Sequence, residues 1–167
     1  VLTTASVAGV YVKDLQSGDE YAMNSDVAFS APGWLRLAIA LEFARASESV
    51  DAAALAPMLS GAEDPNAVLT RIGNGDAQAG ANQVNDALRE LGLVNTFVAQ
   101  PYGRANRPPA IVTPANARGD VNAAPDPTAQ STPAEVGVLL EMLEQCRANT
   151  GALVLVYQNL LTPAKCE

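Results

Sequence analysis

The chain has no histidine, and only two lysines and two cysteines among its 167 residues. Without an imidazole, neither a Ser-His-Asp nor a Cys-His nucleophilic system can be assembled, and two thiols alone are too few for an ordinary zinc site. No metal and no cofactor are expected. Aromatic residues make up 5% of the chain, and no run of Lys or Arg interrupts a formal charge of −8 and a pI of about 4.4. Nucleic acid and anionic membrane surfaces are therefore poor partners. No apolar stretch reaches the roughly 20 residues that span a bilayer, and no signal peptide is recognisable. The length suits one domain, 1–167, large enough to bury most of its apolar surface.

The most informative stretch is Phe29 to Arg45, FSAPGWLRLAIALEFAR. Its Pro32-Gly33 turn opens onto an apolar run of helix length whose only charge before Glu42 is Arg36. A helix apolar on every face lies inside a domain, and its first turn, at the positive helix end, is a natural place for chemistry. Ahead of it, Ala5 to Asp14 alternates in the manner of a strand, Leu15 to Asp19 reads as a hairpin turn needing Gly18 at positive φ, and Glu20 to Met23 returns as a second strand.

Beyond it the periodicity is mostly helical. Ser49 or Asp51 caps a short helix through Met58, and Ala81 to Leu91 places Val84, Ala87, Leu88 and Leu91 on one face before Gly92 stops it. Residues 100–131 hold Pro101, Pro108, Pro109, Pro114, Pro125 and Pro127, a loop long enough to be functional or mobile. Within it Asp120 and Asp126 read as turn-formers, while Arg104, Arg107 and Arg118 are either a solvated face or an anion-binding rim. Ser131-Thr132-Pro133-Ala134-Glu135 combines a hydroxyl cap, a first-turn proline and an acid at a helix start. Val136, Leu139, Leu140, Leu143 and Cys146 form the apolar stripe of that helix, which is expected to run through Arg147 and to end at Asn149-Thr150-Gly151. Ala152 to Leu161 is too short to classify by period.

Together these stretches resemble the serine β-lactamase and penicillin-binding-protein superfamily, in its class A-related form. GVYVKDLQSGDEYAMNSDVAF followed by Phe29 to Arg36 matches its strand, Asp-Leu-x-x-Gly turn, second strand and Phe-x-x-x-Ser-x-x-Lys helix start. SGAEDPNAVLTRIG resembles its second motif, with Ser60, Asn66, Leu69 and Gly73 in register and Gly61 and Ala62 in place of Asp and Asn. ANQVNDALRELGLVNTFV and Thr-Pro-Ala-Glu-x-Gly-x-Leu-Leu are further local matches. The resemblance implies an α/β (α+β) fold. Residues 1–28 would be the β-hairpin of a sheet and 29–167 a mostly helical part with the Pro-rich loop 100–131, the final strands of the sheet being absent from this chain.

The same alignment puts Gly33 where the family's nucleophilic serine belongs and Arg36 where its lysine belongs. Glycine has no hydroxyl to acylate, and arginine stays protonated and cannot serve as the base. Thr162-Pro163-Ala164-Lys165 imitates the spacing, but in a polar, Pro-containing connection rather than at the head of a buried helix. Ala62 replaces the motif's substrate-holding Asn, no glutamate lies between Glu90 and Glu135 to activate a deacylating water, and no Lys-Thr-Gly occurs.

The implied protein is a non-catalytic relative, extracytoplasmic, acting as a binding or scaffold module of the cell envelope. Its ligand would be a carboxylate, for example on a peptidoglycan-derived peptide, held near Gly33, Arg36 and Ser60. Two other readings stay open: an active serine hydrolase of the β-lactamase or D-Ala-D-Ala peptidase type using Ser30 or Ser60, and a domain that serves assembly alone. In an exported family of this kind Cys146 and Cys166 can form a disulfide, the alternative being two free thiols. Two lone strands leave an unpaired edge, so a homo-oligomer or a complementing fragment is expected there.

Overall fold

A computed structural model describes residues 7–46, 52–106, 108–121 and 123–145. The hairpin forms as the pattern implies. Strand β1 (Val10–Lys13) runs antiparallel to β2 (Glu20–Met23), with Val10 opposite Met23 and Lys13 opposite Glu20. Asp14 Oδ1 accepts from the amides of Gln16 and Ser17 and so closes the turn, and Gly18 takes φ +80. The ladder begins at Val10, later than the alternation from Ala5 suggests, because β2 has only four residues before Asn24, at φ +47, turns the chain away.

The two faces of the hairpin differ. Tyr11 and Lys13 face helix α5 (Pro133–Glu144): the Tyr11 ring fills the space where a Cβ on Gly137 would stand, 2.2 Å from its edge, and Lys13 Nζ donates to Glu141 at 2.9 Å. Val12, Tyr21 and Met23, on the other face, are exposed.

A second, smaller sheet that the sequence does not announce joins β3 (Phe29–Ser30), β5 (Ala129–Ser131) and β4 (Phe97–Val98), all antiparallel, with β5 in the middle. Strands of two or three residues are too short to display a period, so nothing in the sequence marks Phe29, ahead of the Pro32-Gly33 turn, as part of a strand. Among the described residues, three short strands thus stand beyond residue 28, in the part expected to be mostly helical.

Helix α1 (Leu35–Ala46) is the core element the apolar run implies: Leu35, Ile39, Ala40 and Leu41 are almost fully buried. Helices α2 (Ala52–Ser60), α3 (Asn66–Ile72) and α4 (Ala77–Glu90) pack around it. Burial of side chains such as Leu35, Ile39, Leu55, Leu69 and Leu88 contributes about 2 kcal/mol apiece. Helix α4 starts four residues ahead of the expected Ala81, since Asp76 caps it by accepting from the amides of Gln78 and Ala79. The cap, not the apolar stripe, sets that boundary. Gly80 permits α3 and α4 to cross closely: a Cβ there would lie 1.9 Å from the Leu69 carbonyl oxygen.

Helix α5 opens at its hydroxyl cap, Thr132 Oγ1 accepting from the Glu135 amide at 3.2 Å. The described helix ends at Glu144, with Gln145 as its C-cap. The expected continuation through Arg147, the Asn149-Thr150-Gly151 stop, the Ala152 to Leu161 stretch, Thr162 to Lys165 and the Cys146–Cys166 pair lie outside the described residues.

Buried at the head of α5, the Glu135 carboxylate accepts from the Asn95 amide, from Asn95 Nδ2 at 2.6 Å and from Thr96 Oγ1 at 2.6 Å. With the Thr96 proton directed to the carboxylate, Ser131 Oγ donates to Thr96 Oγ1 at 2.8 Å, which ties β5 into the cluster. Glu135→Ala would leave buried donors without an acceptor and is expected to cost about 3 kcal/mol, read as a lower urea midpoint at unchanged slope; an unchanged midpoint would show that water replaces the carboxylate.

Candidate functional site

Three segments converge at the head of α1. The first is the connection from β3: Ala31 N donates to the Ala129 carbonyl at 3.0 Å, and Pro32, Gly33 and Trp34 turn the chain so that Leu35 N reaches the Ala31 carbonyl at 3.1 Å. Gly33 is exposed, and a Cβ built on it meets no atom within 4 Å. Position 33, which the sequence resemblance aligns with a nucleophile, is thus accessible and carries no side chain.

The second segment is the turn between α2 and α3. Arg36 reaches across to it, and its Nη1 donates to the carbonyls of Met58 and Glu63, both at 2.6 Å. These carbonyls belong to the end of α2, where the Gly61 amide also reaches Met58 at 3.1 Å, and to the turn, and the negative helix end favours a cation there. The charge at position 36 therefore has a structural reason that needs no ligand. Ser60 sits at the end of the same helix, with its Oγ donating to the Pro57 carbonyl at 3.0 Å. Gly61 at φ +83 and the exposed Ala62 follow it. The fold thus sets Arg36, one turn beyond Gly33, against the carbonyls that flank Ser60.

The third segment was not legible in the sequence. Asn66 clamps the backbone of Tyr102 at two points, its Oδ1 accepting from the Tyr102 amide at 2.8 Å and its Nδ2 donating to the Tyr102 carbonyl at 2.9 Å. The phenol then donates to the Pro32 carbonyl at 2.9 Å. One residue of the Pro-rich loop thereby holds the turn containing Gly33. Burial pushes the Tyr102 phenol up to about 12, against a smaller downward pull from the Arg36 charge. The only available signal was Asn66, which the second motif retains in register.

The remaining candidates have other employment. Ser30 Oγ accepts from the Asp126 amide at 2.7 Å, and Asp126 Oδ1 accepts from Thr128 N and Oγ1, the turn-forming role expected of it. Arg118 is not part of an anion-binding rim: it is ion-paired to Asp26 and Asp120, each at 2.5 Å, and its guanidinium holds the Asp120 carboxyl down at about 2. Arg104 is exposed, and Arg107 lies outside the described residues. Lys13, the one lysine among the described residues, is paired with Glu141 and Glu20 beneath the hairpin. Among the described residues, no group of three His, Cys, Asp or Glu side chains could hold a metal ion.

No protein-family model and no curated protein sequence matches this chain. Solved structures do. A β-lactamase from Sphaerobacter thermophilus superposes over 97% of this chain with a TM-score of 0.60 at 15% identity. The chain has a β-lactamase-like fold. A β-lactamase from Desulfarculus baarsii superposes over 93% of it with a TM-score of 0.51 at 16% identity. This β-lactamase-like chain spans 66% and 64% of the lengths of those two proteins, and at such identities the likeness is one of fold.

Two outcomes test the geometry. Arg36→Ala removes the side-chain donor to the Glu63 carbonyl and one of the two donors to the Met58 carbonyl, which still accepts from the Gly61 amide; it is expected to cost about 2 kcal/mol and to speed hydrogen exchange at the amides of Gly61 and Glu63, whose turn it closes. For Tyr102, the folded value near 12 exceeds the ordinary 10.0, so the unfolded chain loses this proton first. The associated stability is complete below pH 10 and declines as the pH rises toward 12. Urea midpoints across that interval should fall less steeply in Tyr102→Phe, and equal slopes in the two proteins would contradict the burial of the phenol.

Proposed function

We propose that this β-lactamase-like domain is non-catalytic and serves as a binding or scaffold module of the cell envelope, outside the cytoplasm. The observation that carries the reading is Gly33: an exposed glycine at the head of the buried helix α1, with open space where a nucleophilic side chain would project. Acyl transfer needs an activated nucleophile at that point, and glycine supplies none. The ligand class is a carboxylate, as on a peptidoglycan-derived peptide, bound beside Gly33. Arg36 retains the N–H groups that its two carbonyl contacts do not use.

The competing reading, a serine hydrolase, needs Ser30 or Ser60 as nucleophile. Their hydroxyl oxygens are engaged by the Asp126 amide and the Pro57 carbonyl respectively. Intact-protein mass spectrometry after incubation with a fluorescent penicillin separates the two. An unchanged mass, with no hydrolysis of a chromogenic cephalosporin, is the expected result; an adduct of one opened β-lactam on a single serine would overturn the proposal. Calorimetry with a peptide ending in D-Ala-D-Ala should show weak, reversible, salt-sensitive binding. Gly33→Asp, which the open space tolerates, should abolish that binding without lowering stability.

A further inference from the structure

Asn74 is the one asparagine of the chain followed by glycine, and the pair lies in the turn from α3 into α4. Both residues are exposed. Asn74 takes φ +52, a left-handed value that few side chains other than Asn adopt, and Gly75 takes φ +105. Two bonds close the end of α3 over them: the Asn74 amide donates to the Arg71 carbonyl at 3.2 Å, and the Gly75 amide donates to the Thr70 carbonyl at 2.8 Å. Asp76 then caps α4, accepting from the amides of Gln78 and Ala79. The turn has little slack, because a Cβ on Gly73 would lie 2.0 Å from the Asp76 carbonyl oxygen.

We propose that Asn74 is a modification site, converted to aspartate and isoaspartate through a succinimide, and that the turn between α3 and α4 gates the reaction. Glycine lacks the Cβ that elsewhere shields the amide nitrogen after an asparagine, and no atom lies within 4 Å of where one would stand on Gly75. In the first step the Gly75 nitrogen bonds to Asn74 Cγ while the Cγ–Nδ2 bond breaks, and Nδ2 leaves as ammonia with the proton that the Gly75 amide gives up. Water then opens the ring. Opening at Cγ restores an ordinary peptide bond after aspartate, whereas opening at the backbone carbonyl leaves an isoaspartyl link one methylene longer. The gate is the Thr70 carbonyl: while it accepts from the Gly75 amide, that amide keeps its proton and its nitrogen is no nucleophile. Either product loosens the turn. A carboxylate at position 74 stands just past the negative end of α3 and two residues from the Asp76 carboxylate, and the longer link shifts Gly75 off its bond to Thr70.

The test incubates the full chain at mildly alkaline pH, native and in concentrated urea, and follows every asparagine by peptide mapping, with an isoaspartyl methyltransferase labelling the longer link. In urea Asn74 should convert ahead of the other asparagines. In the native chain its conversion should be slower by about ten-fold or more, because local opening must come first. Asp76→Ala, which removes the α4 cap, should speed the native reaction several-fold, more than it alters the rate in urea. Asn74→Gly, which suits the left-handed backbone, should abolish the label at this turn while the chain stays folded. Another asparagine leading in urea overturns the site, and equal native and urea rates at Asn74 overturn the gate. Neither outcome depends on what binds beside Gly33.

Discussion

A single buried carboxylate holds this β-lactamase-like domain together. Glu135 stands at the positive end of α5, where the helix favours its charge, and the hydrogen bonds from Asn95 and Thr96 offset the cost of removing it from water. Asn95 passes the connection on, its Oδ1 accepting from the Ala115 amide in the Pro-rich loop. Through Ser131 and Thr96 the cluster reaches β5, and through α5 it reaches the hairpin, which rests on Gly137 and Glu141. Helix, small sheet, long loop and hairpin are thus referred to one group of polar atoms, and α5 cannot move without exposing donors that have nowhere else to bond.

Against that frame the head of α1 is built from borrowed atoms. Arg36, which the sequence resemblance aligns with a lysine, spends two of its N–H groups on carbonyls at the end of α2 and in the turn after it. A planar donor fork can brace a turn in a way a single ammonium cannot, which gives arginine a reason to be there whatever the site binds. The functional argument therefore passes to Gly33, where no packing or conformational requirement accounts for the residue: its surroundings are open, and it is not among the glycines at positive φ. A fold that keeps its architecture at 15% identity to an enzyme can carry a different site in the same place.

The hairpin shows the opposite condition, a surface with more bonding capacity than the described residues use. Its inner face is satisfied by α5, and among the described residues β1 pairs with β2 alone, beside an apolar groove that Val10, Tyr11, Val136 and Leu140 help to line.

The sequence by itself determined the local elements: the hairpin and its Gly18 turn, the buried α1, the Gly92 stop and the Thr132-Pro133 helix start. Each depends on neighbours within a few positions, through period, cap or backbone preference. That Arg36 stands one helical turn beyond Gly33 was also legible, because local spacing encodes it. Tertiary structure alone decided the rest. The β3-β5-β4 sheet has strands too short for any period, and Glu135, which the sequence placed as a local helix-capping acid, turned out to bond 40 positions away. Tyr102 holds Pro32 from 70 positions along the chain, and Arg118, read as a free basic group, met Asp26 and Asp120. Those partners are set by how helices pack around α1, and packing is a property of the whole chain that no local window contains.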